Sequence, residues 1–224
     1  MELAIFDLDN TLIAGDSDYL WGRFLAREGV VDPDRYEREN QRFYDQYRAG
    51  TLDIFEFLRF SLEPLARLPR ATLEALRERF LREAIEPILL PRAQALVESH
   101  RAAGRLPVVI TATNRFVTEP IVRRYGIDVL LATEPAVDEA GRFTGEVAGT
   151  PCFQEGKVAR LEAWLAEKGL DLAGSWFYSD SHNDLPLLER VENPVAVDPD
   201  TRLRALAEDR GWPVISLREG AAAG

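Results

Sequence analysis

Five apolar runs of strand length, at 3–6, 107–110, 128–132, 175–178 and 194–197, with a sixth candidate at 213–217, set the strongest limit on how this chain can fold. Between most of them lie helix-like segments with stop signals: 91–103 ends at Gly104, 116–125 at Gly126, and 155–168 at Gly169. Strands that alternate with helices build a mostly parallel sheet covered on both faces, an α/β architecture.

The alternation is interrupted once. The interval between the first run and the second is far longer than any other, and it reads as helical throughout. Asp16 to Asp18 offers a cap for a helix running to Gly29, and Tyr36, Phe43 and Tyr47 recur at helical spacing before Gly50. Thr51 is placed to cap the apolar stretch LDIFEFLRFSL, and Leu73, Leu76 and Phe80 form a further amphipathic face. An all-helical insertion after the first strand is expected to form a small cap domain, residues 14–86, over the strand ends of a core made of residues 1–13 and 87–224. Such a cap closes over a substrate and excludes water. The final GAAAG reads as a frayed tail.

Composition narrows the function classes. A net charge of -11 argues against binding a nucleic-acid backbone over a broad surface, so a small anionic substrate needs a local positive centre. Lysine occurs at Lys157 and Lys168 alone. No apolar run approaches the ~18 residues that span a bilayer, and the N-terminus lacks a secretory signal pattern, so no membrane partner is expected. The lone Cys152 excludes an internal disulfide and fits a cytoplasmic protein, expected as a monomer or homodimer.

The first run leads directly into paired acids, in LAIFDLDNTL. In an open parallel sheet, ligands bind beyond the carboxyl ends of the strands, near the point where strand order reverses. Asp7 follows the first run, Thr111 ends the second and Asp180 follows the fourth. If the second and fourth runs flank the first, these side chains meet in one crevice. Carboxylates gathered there repel one another unless a cation sits between them, and oxygen ligands with few nitrogens or sulfurs suit Mg²⁺.

FDLDNTL, ITATN, Lys157 in QEGKVARL, and YSDSHNDLPLL resemble the four ordered motifs of the haloacid dehalogenase-like (HAD) hydrolases and span almost the whole chain. The long helical insertion resembles the C1 cap class, and the hairpin-like GRFTGEVAG before Lys157 resembles the phosphoserine phosphatase-like branch. The resemblance implies a Rossmann-like core and Mg²⁺-dependent phosphoryl transfer through an aspartyl-phosphate. On that pattern Asp7 is the nucleophile, and Asp9 is general acid and then general base. Asp7, Asp180 and the Asp9 backbone carbonyl bind Mg²⁺, with Asp184 holding a metal-bound water. The Thr111 hydroxyl, the Ala112 backbone N–H and the Lys157 ammonium cradle the phosphate, with Asn183 assisting. A cation in the first helical turn opposes the helix dipole, so the position of Lys157 itself points to a nearby anion.

The cap decides the substrate. Counted from Gly50, the position at which phosphoserine phosphatases carry an arginine for the serine carboxylate is Ser61 here. Arg59, two residues away, points about 200° round the helix. Asp16 reads both as a holder of a substrate ammonium and as a helix cap. FDLDNTLIAGDSDYLWGRFL together with SDSHNDLPLL also resembles a histidinol-phosphatase-like subgroup. The expected substrate is therefore a small-molecule phosphate ester, an amino-alcohol phosphate with histidinol phosphate first. Phosphoserine hydrolysis, phosphoryl transfer to a second acceptor as in a phosphomutase, and a non-catalytic binding module are the alternatives. Tyr19, Trp21 and Phe24 read either as pocket lining or as cap core, and His182 either as an exposed loop residue or as a substrate contact.

Overall fold

The computed structural model describes residues 1–218, and the GAAAG tail lies outside the described residues. Strand β1 (Leu3–Phe6) is buried at all four positions because it lies in the middle of the sheet. It pairs in parallel with β2 (Leu106–Asn114) on one side and with β5 (Trp176–Ser179) on the other. The full order is β4-β3-β2-β1-β5-β6-β7, with β3 (Val129–Val137), β4 (Phe143–Ala148), β6 (Asn193–Val197) and β7 (Val214–Ile215). The strand order reverses at β1, which places the crevice at its carboxyl end. Only β4 runs antiparallel, as the return arm of a hairpin with β3.

Alternation along the strands builds two cores. Leu3, Ile5, Val108, Ile110, Phe177 and Ala196 face one side, where α7 (Glu155–Lys168), α8 (Leu185–Leu188) and α9 (Thr201–Arg210) pack on them. Ala4, Phe6, Val109, Tyr178 and Val195 face the other, against α5 (Pro91–Ala102) and α6 (Arg115–Arg124). That second core continues without a break into the long interval after β1.

The interval folds into α1 (Ser17–Arg27), α2 (Pro33–Ala49), α3 (Ile54–Arg67) and α4 (Arg70–Phe80), closed by a wide turn at Leu81–Ile85. Trp21, Phe24, Leu58, Leu62 and Phe80 from these helices join the Phe6 side of the core. The chain leaves and returns at one point: Ile13 bridges Leu89, and the Ala14 N–H donates to the Ile88 carbonyl. Asp16 caps α1 as expected, accepting from the N–H groups of Asp18 and Tyr19. The cap of α3 differs from expectation. Asp53, and not Thr51, takes the N–H groups of Phe55 and Glu56, because a carboxylate adjacent to the first turn is the better acceptor. Strand β2 also runs past Thr111 to Asn114, since polar residues can pair where the crevice satisfies their side chains. Among the described residues no helix is long and apolar enough to cross a membrane.

Candidate active site

The crevice is built from the turn that follows β1. The Asp7 N–H donates to Tyr178, extending the β1–β5 ladder by one residue and fixing where the Asp7 carboxylate emerges. The chain then curls tightly, with the N–H groups of Thr11, Leu12 and Ile13 converging on the Leu8 carbonyl and Asn10 at φ 57°. A left-handed residue is strained unless the surroundings impose it, and asparagine tolerates the conformation best after glycine. This turn aims the Thr11 hydroxyl between Asp7 (3.4 Å) and Asp180 (3.3 Å). Asp9 is held at both oxygens, by the Ser17 N–H at 2.6 Å and the Thr113 hydroxyl at 2.8 Å. The Thr111 hydroxyl lies 3.5 Å from Asp9. The pairing of β2 with β3 shifts register between Thr111 and Asn114, so Ala112 and Thr113 have no partner residue in β3 and Ala112 lines the crevice.

Lys157 enters from the first turn of α7. Its neighbour Gly156 allows the approach, since a Cβ there would sit 2.1 Å from the Pro151 carbonyl oxygen. The Lys157 ammonium is buried and lies 2.7 Å from Asp7 and 2.7 Å from Asp184. Asp184 also accepts from the Ser179 hydroxyl at 2.7 Å, so both of its oxygens are occupied by protein groups.

Four carboxylates, of Asp7, Asp9, Asp180 and Asp184, thus face one ammonium. Burial pushes the Asp7 carboxyl up; Lys157 pulls it back, and Asp184 and Asp9 add to the rise. Burial, Asp7 and Asp184 hold Asp180 well above the ordinary carboxylate range. Burial opposes charge on Lys157, yet Asp184 and Asp7 outweigh it and keep the ammonium protonated. The site carries more negative charge than its own cation can balance.

Above the carboxylates lies a cavity of about 420 Å³, and Lys157 is its one basic lining residue among those described. Asp16 lines it at an exposed position; partial desolvation by the surrounding protein and then the Asp9 carboxylate raise its carboxyl above the ordinary range. Asp18 and Glu37 line it as well, and Tyr19, Phe43, Tyr47, Phe57 and Phe153 supply aromatic walls. Trp21 and Phe24 are buried in the core instead. Asn183 lines the cavity but its amide is committed, donating to the Tyr47 carbonyl at 3.3 Å and accepting from Gln154 at 3.0 Å. With the Tyr47 hydroxyl on Ser181 (2.7 Å) and Arg202 on the Ala49 carbonyl (3.2 Å), it ties the end of α2 to the loop after β5. His182 lies outside the cavity, paired with Asp200 at 2.7 Å. Ser61 is buried within α3 and Arg59 is exposed; neither lines the cavity. Thr113 lies within ITATN yet was given no role from sequence, and the α2 residues Glu37 and Asn40 belong to no motif.

Residues 4–189 match the haloacid dehalogenase-like hydrolase family. The chain is 45% identical over 219 residues to a histidinol-phosphatase of Neisseria meningitidis serogroup C, covering 96% of this chain and 99% of that one. It is 33% identical over 219 residues to the phosphoserine phosphatase SerB1 of Mycobacterium tuberculosis, covering 96% and 70%. A Bordetella pertussis protein of unknown function shares its structure with a TM-score of 0.91 at 47% identity, over 97% and 99% of the two chains. A substrate-bound phosphoserine phosphatase structure shares the fold at a TM-score of 0.71 and 19% identity, over 97% and 93%. With the four motif segments gathered at one strand-end crevice, the chain belongs to the haloacid dehalogenase-like hydrolases and is a phosphatase of that family.

Proposed function

We propose that the protein is a Mg²⁺-dependent phosphomonoesterase that works through an aspartyl-phosphate on a small amino-alcohol phosphate, histidinol phosphate first. The Asp7 carboxylate attacks phosphorus as the ester P–O bond breaks, and Asp9 gives its proton to the departing alkoxide. Asp9 then takes a proton from the water that attacks the acyl phosphate, releasing inorganic phosphate and restoring Asp7. The Thr113 hydroxyl and the Ser17 N–H hold Asp9 in place for both transfers. Lys157, the Thr111 hydroxyl and the Ala112 N–H receive the phosphate oxygens. Residues 14–86 act as the cap over residues 1–13 and 87–218, a division supported by the adjacent exit and return of the chain at Ile13 and Leu89.

The donor set fits Mg²⁺: oxygen ligands only, in charge excess over Lys157. Asp7 and Asp180 with the Asp9 carbonyl would hold it, and Asp184, occupied by Lys157 and Ser179, would act through water. When bound, the ion offsets the negative charge between the carboxylate and the phosphate.

The cavity carries the substrate reading. A carboxylate-bearing ester such as phosphoserine needs a second cation beyond the phosphate, and the cavity presents Asp16, Asp18 and Glu37 there instead. The histidinol-phosphatase relative at 45% identity supports the same class. Phosphate release should run at least roughly tenfold faster in kcat/KM on histidinol phosphate than on phosphoserine. EDTA should abolish it, and Asp7→Asn should lower kcat by at least roughly 10³-fold. Full activity in Asp7→Asn would exclude the covalent route, and a preference for phosphoserine would exclude the substrate class.

A further inference from the structure

The cavity has lining residues that the phosphate chemistry does not use. Asp18, two residues on along α1, is only 7% exposed yet lines it. No cation pairs with it among the described residues, and the one side-chain hydrogen bond its carboxylate makes is a long one, from Asn114 at 3.4 Å. Burial, with Asp16 and Asp9 nearby, pushes its carboxyl well above the ordinary range. From α2, Asn40 lines the same cavity at 6% exposure, and its Nδ2, beside the Tyr36 hydroxyl, makes no well-formed hydrogen bond. A buried acid and a buried amide N–H, both without adequate partners, face the same space. Native interiors seldom leave such groups without a protein, water or ligand partner.

The two groups ask for different things. Asp18 needs a donor, preferably a cationic one, and the Asn40 N–H needs a lone pair. An alkylammonium offers donors alone and a carboxylate offers acceptors alone. A nitrogen heterocycle of the imidazole class offers an N–H on one nitrogen and a lone pair on the other, in a flat ring that suits walls formed by Tyr19, Phe43 and Phe57. We propose that Asp18 and Asn40 form a second subsite that binds an imidazole-class ring on the alcohol half of the substrate, while Asp16 holds its ammonium. This rests on the histidinol phosphate reading above and adds to it the residues that select the ring.

The test compares histidinol phosphate with ethanolamine phosphate, which carries the ammonium but no ring. In the wild type, kcat/KM favours histidinol phosphate; Asp18→Asn and Asn40→Leu should each lower the ratio of the two values by at least roughly tenfold. Asp16→Asn should reduce both values and leave the ratio within about twofold. Calorimetric binding of histidinol itself reads the subsite without turnover, and Asp18→Asn should weaken it by the same factor. The melting temperature of ligand-free Asp18→Asn at pH 7 should not fall below that of the wild type, whereas a purely structural Asp18 would lower it. A wild-type preference for histidinol phosphate with ratio and affinity unchanged in Asp18→Asn overturns the subsite alone. A preference for phosphoserine over both amines overturns the amino-alcohol reading, and the subsite with it.

Discussion

His100 shows how one buried side chain sets a pH dependence remote from the catalytic crevice. It sits on α5 against β5, with Nε2 2.7 Å from the Tyr178 hydroxyl and its ring packed on Phe6 and Trp176. Burial, and then the nearby Arg105 charge, lower its pKa from 6.5 to about 4. The folded protein therefore keeps His100 neutral while the unfolded chain takes a proton below pH 6.5. Stability from this residue is present above that pH and is lost as pH falls toward 4, by up to about 3 kcal/mol. The raised carboxyls of Asp7, Asp16, Asp18 and Asp180 shift stability the other way, so the quantity to measure is a difference. In urea unfolding, the stability advantage of wild type over His100→Gln should shrink by up to about 3 kcal/mol between pH 7 and pH 4. A constant difference would mean that His100 titrates alike in both states. Residues of this kind separate what a sequence shows from what it hides. Asp7, Asp9 and Thr11 are legible because they crowd one turn in the order D-x-D-x-T, whereas Thr113, although inside ITATN, holds Asp9 across 104 residues, a pairing that no local spacing marks.

Helices and strands were legible where their signals are local. Gly29, Gly50, Gly104, Gly126 and Gly169 adopt positive φ after α1, α2, α5, α6 and α7, and the antiparallel β4 appears where GRFTGEVAG suggests a hairpin. Contacts between elements were not legible, and Gly22 is the clearest case. It lies inside α1, where alanine is normally better by about 1 kcal/mol. Here a Cβ would stand 1.5 Å from the hydroxyl of Tyr36, a residue of α2 that is 6% exposed. The bare backbone lets the two helices approach, which holds α2 and its cavity-facing Glu37 and Asn40 over the crevice. Gly22→Ala should therefore destabilise the protein by about 1–3 kcal/mol in urea unfolding, against the helix-propensity trend. The loss should largely vanish in a Tyr36→Leu background, because the two substitutions act on one contact. A stabilised Gly22→Ala would show that Tyr36 moves aside without cost.

Across the whole molecule, the inserted helices and the sheet share one apolar interior. Trp21 from α1 packs within 5.2 Å of Phe80 at the end of α4 and 6.1 Å of Phe116 on α6, between ring centroids. Inserted helices that rested on polar contacts alone would melt by themselves, whereas a shared core couples them to the sheet. Calorimetry should therefore show a single transition, and Trp21→Ala should lower it as one unit while costing about 3–5 kcal/mol. Two resolved transitions would mean that residues 14–86 fold independently. Spacing along the chain was enough to establish the alternation of strands and helices, the long interruption after β1, the order of the four acidic and basic motifs, and hence the crevice where they meet. Those follow from periodicity, caps and short spacings, which are properties of neighbouring residues. Three-dimensional packing was needed to show that Asp18 and Asn40 line one cavity, that Lys157 is the one basic group lining it among those described, and that Asn183 spends its amide on Tyr47 and Gln154. Such facts depend on which helix faces which at ångström range, and packing between distant segments fixes that without leaving a pattern along the chain.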